Sequence, residues 1–105
     1  MPSFDPQDLA GWTGGSWFNE PKVAIEGLCF DARQIKPGQC FIALKISARD
    51  GHEFLEQAAR GGAVAAIVEN TKPIVLPQLK VSDSLVALGA IGAAVRSKFS
   101  KPVVG

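Results

Sequence analysis

Two polar clusters in the first half of this 105-residue chain carry the residue types that bind charged or heterocyclic ligands. Asp31-Ala32-Arg33 follows the apolar run Val23 to Phe30, and Lys45-Ile46-Ser47-Ala48, continued by Arg49 and Asp50, follows the apolar run Cys40 to Leu44. Polar side chains at strand ends commonly meet ligands. If the two runs are adjacent strands, both clusters share one rim. Arg33 or Lys45 would there meet phosphate, and loop amides would meet a base. The competing reading is structural: Asp31 caps a turn, and Arg33 pairs with it or with a helix end.

Other chemistries find little support. His52 is the only histidine, which excludes a multi-histidine metal site, and no acidic spacing demands a hard cation, so no metal is expected. Flanked by Gly51 and Glu53, His52 reads as a helix-start residue in preference to a general base. Ser47, Ser82 and Ser84 lack a nucleophile-elbow setting, and neither cysteine has a partnered histidine motif. No G-x-x-x-x-G-K-[ST] or G-x-G-x-x-G run is present, so an ATP or dinucleotide site is not expected in this chain. By itself it should bind, with no catalytic residue of its own.

The elements that would position the clusters follow from periodicity and turn chemistry. Phe4 to Trp12 reads as a short helix with Asp5 as N-cap and Pro6 at its first position, ended by Thr13-Gly14-Gly15. Ser16-Trp17-Phe18 and Val23 to Phe30 read as strands that pair as a hairpin across Asn19-Glu20-Pro21-Lys22. Lys36-Pro37-Gly38-Gln39 has type II turn chemistry and leads into the buried strand Cys40 to Leu44. Asp50 to His52 should cap a helix with Phe54, Leu55, Ala58 and Ala59 as its apolar stripe, closed by Gly61-Gly62. Ala63 to Val68 is a second buried strand, parallel to the first through a right-handed crossover. Leu79-Lys80-Val81 reads as an edge strand.

Ser82-Asp83-Ser84 caps a last helix, in which Leu85, Leu88, Ile91, Val95 and Phe99 recur at spacings of three and four. The small residues between them suggest that another surface approaches it closely. Val103-Val104-Gly105 begins one more strand. The fold class is therefore α/β, a small mixed β-sheet with flanking helices in one domain spanning 1–105.

Bulk properties agree with a soluble globular domain: 47% of residues are hydrophobic and 20% charged, and the net charge of +1 gives no reason to expect nucleic acid. Cys29 and Cys40 each lie in an apolar run and read as free thiols of a reducing compartment. The N-terminus lacks a basic start followed by an apolar segment. Leu85 to Val95 is far shorter than the roughly 20 apolar residues that span a bilayer. A cytoplasmic protein without a membrane partner is expected.

Across most of its length the chain resembles the N-terminal domain of the Mur ligases. That family's pattern is D-[ST]-R, then P-G, F-x-A, K-G-E, D-G-H-x-F and A-x-x-x-G-A. Here Asp31-Ala32-Arg33, Pro37-Gly38, Phe41-Ile42-Ala43, Lys45-Ile46-Ser47, Asp50-Gly51-His52-Glu53-Phe54 and Ala58-Ala59-Arg60-Gly61-Gly62-Ala63 stand in that order. The segments Leu76 to Asp83 and Ala87 to Arg96 look most like the branch that adds D-alanyl-D-alanine.

The resemblance implies that the domain holds the UDP end of UDP-N-acetylmuramoyl-peptide for a peptidoglycan-building ligase. ATP and magnesium would be bound by a central ATPase domain following Val103-Val104-Gly105, with a further C-terminal domain, all beyond this chain. It also implies a substrate-binding set of Asp31, Ala32, Arg33, Lys45, Ile46, Ser47 and Ala48. Ala32 stands where the family has a hydroxyl residue and Ile46 where it has glycine, which removes a hydrogen-bonding group and a point of close backbone approach. Two alternatives stay open: the ligase adding the third peptide residue, and a noncatalytic interaction module whose nucleotide site has decayed.

Overall fold

The computed structural model describes residues 4–46 and 49–99. The expected strand Val103-Val104-Gly105 lies outside them. In chain order the elements are α1 (Pro6–Thr13), β1 (Ser16–Phe18), β2 (Leu28–Cys29), β3 (Cys40–Ile42), β4 (Lys45–Ile46), β5 (Arg49–Asp50), α2 (Leu55–Arg60), β6 (Ala65–Val68), β7 (Gln78–Lys80) and α3 (Ser84–Phe99), with a 3-10 turn at Gly51–Phe54 before α2. Five strands form one mixed sheet in the order β1-β7-β6-β3-β2, and β4 and β5 form a separate antiparallel pair.

Both buried strands alternate their side chains between two covered faces, which is why they read as continuous apolar runs. Cys40, Ile42, Ala65 and Ile67 join Leu9 of α1 and Ala87 and Ile91 of α3 in one core cluster. Phe41, Ala43, Ala66 and Val68 join Leu55 and Ala58 of α2 in the other. The parallel pairing of β3 with β6, in the register Cys40 to Ala65 and Ile42 to Ile67, is the one the crossover predicts.

Several local expectations hold. Asp5 Oδ1 accepts the Gln7 backbone N–H at 2.8 Å, and Gly14, at φ 71°, closes α1. The turn at Lys36 to Gln39 is closed by the Gln39 N–H donating to the Lys36 carbonyl at 3.1 Å, with Gly38 at φ 91°, as a type II turn requires. Asp83 Oδ1 accepts the N–H groups of Leu85 and Val86 at 2.9 and 3.0 Å, capping α3.

The pairing of the first strands differs from the expected hairpin. β1 pairs antiparallel with β7, while β2 is only two residues long and pairs parallel with β3. The intervening run is occupied elsewhere: Ile25 exchanges two backbone hydrogen bonds with Phe4, at 2.7 and 2.9 Å, and the Glu26 N–H donates to the Gly38 carbonyl at 2.9 Å. β7 is consequently interior and not an edge, with Leu79 fully buried.

Asp50 pairs with Lys45 in the β4–β5 ribbon and directly precedes the 3-10 turn at Gly51–Phe54. α2 begins after Phe54 with no side-chain cap bond, and Ala59 is exposed. The left-handed position after α2 is Gly62, at φ 106°. A Cβ there would fall 2.7 Å from Pro37 Cα. α3 keeps most of the expected stripe, with Ile91 in the core and Leu88 and Val95 packed against it, but in its first turn Ala87 is buried and Leu85 is half exposed. Gly89 and Gly92 have nothing among the described residues within 4 Å of where a Cβ would stand. No helix among the described residues is long and apolar enough to cross a membrane.

Both cysteines are free thiols. Burial pushes the Cys40 thiol well above its ordinary value of 9.0. The unfolded chain loses that proton near pH 9 and the folded chain does not, so above pH 9 the folded state binds more protons. Stability should therefore fall by about 1.4 kcal/mol per pH unit from this group, until its folded pKa is reached. Urea unfolding between pH 8 and 10 measures the slope, and Cys40→Ala should flatten it.

Candidate functional site

β2 and β3 are parallel neighbours, so the segments leaving their C-terminal ends emerge at the same end of the sheet. Phe30 to Arg33 leaves β2 and Ala43-Leu44 leaves β3. Between them opens a cleft of about 410 Å³, lined by Phe30, Asp31, Ala32, Arg33, Leu44, Gly51 and Phe54.

Gly51 brings the third segment in. Its N–H donates to the Leu44 carbonyl at 2.7 Å, and a Cβ on it would lie 2.8 Å from Leu44 N and 3.0 Å from Ala43 C and Cα. Only glycine lets the Asp50-Gly51-His52 segment sit directly on the end of β3.

Among the described lining residues, Asp31 and Arg33 carry the charge. Asp31 Oδ1 accepts the Arg33 backbone N–H at 3.0 Å and Arg33 Nε at 3.2 Å, while Asp31 Oδ2 accepts Nη2 at 3.2 Å. The carboxylate thus caps its own turn and forks onto the guanidinium, the arrangement of the structural reading, and both residues line the cleft. Hydrogen bonding and charge from Asp31 raise the pKa of Arg33 further above its already high value. The Arg33 side chain is 76% exposed, so the pair adds little stability but holds the guanidinium at the rim.

Ala32 is 7% exposed and packs with Phe41, Leu55 and Ala58 in the core cluster on the α2 side. Its methyl belongs to the core, and a hydroxyl there would need a partner.

Of the residues predicted from sequence, Asp31, Ala32 and Arg33 come together at the cleft. Lys45 and Ile46 follow Leu44 as β4. Ser47 and Ala48 lie outside the described residues. Cys40, Phe41 and Ile42 are core, as expected. Phe30, Leu44, Gly51 and Phe54 were not singled out as site residues. The signal for Gly51 was its place between two polar residues just after a strand, where a glycine marks close backbone approach. Among the described residues no cluster of three or more His, Cys, Asp or Glu could hold a metal ion.

Comparison with known proteins points one way. No protein-family model matches the chain. The UDP-N-acetylmuramoyl-tripeptide–D-alanyl-D-alanine ligase of Escherichia coli K12 is 39% identical over 82 residues, covering 78% of this chain and 18% of that enzyme. The UDP-N-acetylmuramoyl-L-alanyl-D-glutamate–2,6-diaminopimelate ligase of Geobacter metallireducens is 39% identical over 87 residues, covering 79% of this chain and 17% of that enzyme. Among solved structures, MurF from Acinetobacter baumannii superposes with a TM-score of 0.88 at 33% identity, over 93% of this chain and 22% of that one. The chain therefore spans about a fifth of the length of the relatives it matches.

Proposed function

We propose a function for a chain that belongs, by sequence and by fold, with the Mur ligase N-terminal domains: it anchors the UDP end of UDP-N-acetylmuramoyl-tripeptide for an ATP-dependent, amide-forming ligase that adds D-alanyl-D-alanine in the cytoplasm. The observation that carries this reading is the cleft itself. It brings together, at the C-terminal end of a parallel strand pair, the Asp31-Ala32-Arg33 turn and the Gly51 contact, which are two of the segments on which the resemblance to the family rests.

In this reading the chain's residues bind and orient and do no chemistry. Asp31 holds the turn and fixes Arg33 as an orienting charge at the rim. Lys45, Ile46, Ser47 and Ala48 supply the second contact segment, with Ser47 and loop amides toward uracil or ribose. ATP and magnesium, implied for the full-length enzyme, would make the peptide carboxylate an acyl phosphate that the incoming amine attacks. The MurF ligase from Thermotoga maritima has been solved in complex with ADP, which supports nucleotide use by the family. No residue of this chain is assigned to that step.

A second reading has its own support: relatives that add 2,6-diaminopimelate match this chain as closely as some that add D-alanyl-D-alanine. An amine panel offered to the full-length protein separates the two. The anchoring role is tested by calorimetry of the full-length protein with UDP-N-acetylmuramoyl-tripeptide, where saturable binding is expected. An active ligase indifferent to the UDP moiety would contradict it, and a protein that neither binds nor ligates would favour the noncatalytic module.

A further inference from the structure

α2 ends on a glycine whose backbone does not call for one. Gly61 has φ −79° and ψ −3°, right-handed helical values that any residue adopts. What glycine supplies here is space: a Cβ on Gly61 would collide with Ile35 Cγ2. Ile35 therefore rests directly on the exit of the helix. It belongs to a longer contact, in which Ala32 packs with Leu55 and Ala58 of α2 and Ile35 packs against the same cluster.

The helix exit is also bonded to the turn that follows Ile35. The Gly38 N–H donates to the Gly62 carbonyl at 3.1 Å, and the Val64 N–H donates to the Gln39 carbonyl at 2.9 Å. The Asp31 turn, closed by the Gln34 N–H donating to the Asp31 carbonyl at 2.9 Å, links this fastened segment to the cleft. At its other end α2 starts after Phe54, which lines the cleft opposite that turn. α2 thus spans from one wall of the cleft to the base of the other.

We infer that Gly61 is a positioning residue for the cleft. By letting Ile35 sit on the end of α2, it sets where Asp31 and Arg33 stand relative to Phe54, and it touches no ligand itself. A methyl at Gly61 would meet the branch on the Ile35 Cβ, a stiff position that rotation of the outer bonds cannot clear. The loop has to yield, and the Asp31 turn moves with it. The consequence for binding rests on the proposed anchoring of a uridine nucleotide; the placement of the turn does not.

The test reads amide spectra of the 105-residue chain and its variants, free and titrated with UDP. In the free chain Gly61→Ala should shift the amides of Asp31 to Gln34 and the Arg33 Nε–H signal. It should weaken UDP roughly tenfold, because remote changes that misplace contact groups by about 1 Å cost that much or more. Ile35→Leu removes the Cγ2 branch in a volume-conserving exchange, and combined with Gly61→Ala it should restore both the signals and the affinity. Ile35→Ala removes the other half of the contact without a clash, so it carries the test if Gly61→Ala does not fold: the same signals should move.

Gly15→Ala is the matched control. Its methyl would meet the Lys80 carbonyl oxygen at 2.6 Å and Val81 Cγ1 at 2.9 Å, next to β1 at the opposite edge of the sheet from β2. It should destabilise the fold yet leave the Asp31 to Gln34 signals and UDP affinity unchanged. Signals that stay in place in Gly61→Ala, affinity that survives their movement, a double variant that is not restored, or equal weakening by Gly15→Ala would each overturn the positioning role. A parent chain that does not bind UDP would overturn the anchoring role instead, and the free-state signals would still decide whether Gly61 places the turn.

Discussion

Phe41→Ala is expected to lower the unfolding free energy by about 4 kcal/mol. Phe41 is 1% exposed, sits in the middle of β3, and pairs on one side with Cys29 and on the other with Ala66. Its ring packs in the cluster beneath α2 with Leu55, Ala58 and Val68. Truncation removes that burial and leaves a cavity whose strand walls are hydrogen-bonded on both sides and can collapse only in part. A domain of this size has a total stability of roughly 5 to 15 kcal/mol, so much of the margin would go. Urea unfolding monitored by circular dichroism measures the loss; a change under 1 kcal/mol would mean that β3 is not the centre of the core.

Gly51→Ala is expected to cost about 2 kcal/mol or more and to distort the cleft. The new methyl would meet backbone atoms of Ala43 and Leu44 at 2.8 to 3.0 Å, and backbone tied down by the Ala43 N–H bond to the Ile67 carbonyl cannot rotate aside as a side chain does. The Gly51 hydrogen bond to the Leu44 carbonyl would stretch or break, moving one lining segment away from the Asp31 turn. Gly89→Ala makes the informative comparison. Gly89 lies within α3 with open space around it, so the same methyl there should stabilise by about 0.8 kcal/mol through helix propensity. Paired denaturation curves that move in the same direction would contradict the account of Gly51.

The parts of the fold legible from sequence were those set by local chemistry or by a strong periodic signal. Asp5 with Pro6 started α1, Pro37-Gly38 made its turn, and the two apolar runs at Cys40 and Ala65 became neighbouring parallel strands. The misreadings were non-local. Nothing in Val23 to Gly27 reveals that Phe4 takes the hydrogen bonds of Ile25 and that Gly38 takes the N–H of Glu26, which leaves β1 to pair with β7. Leu85 has the spacing of a core residue, but in the first turn of α3 Ala87 is buried in its place, while Leu88, Ile91 and Val95 keep the expected face.

The site divides in the same way. Asp31 and Arg33 were singled out by residue type at a strand end; their ion pair caps the turn, as the structural reading has it, and also edges the cleft. Phe30 was read only as the last residue of a strand. Its exposure depends on what the fold leaves uncovered, which its side-chain type does not disclose.

The claim that this chain holds a uridine nucleotide at the C-terminal end of β2 and β3 is tested most directly by amide chemical-shift mapping of the 105-residue chain with UDP. The account predicts saturable shifts concentrated at Phe30 to Arg33, Leu44, Gly51 and Phe54, with α1 and α3 unaffected. Shifts centred instead on the shallow apolar groove between Phe4, Leu88 and Val95, or no shifts at saturating nucleotide, would contradict it.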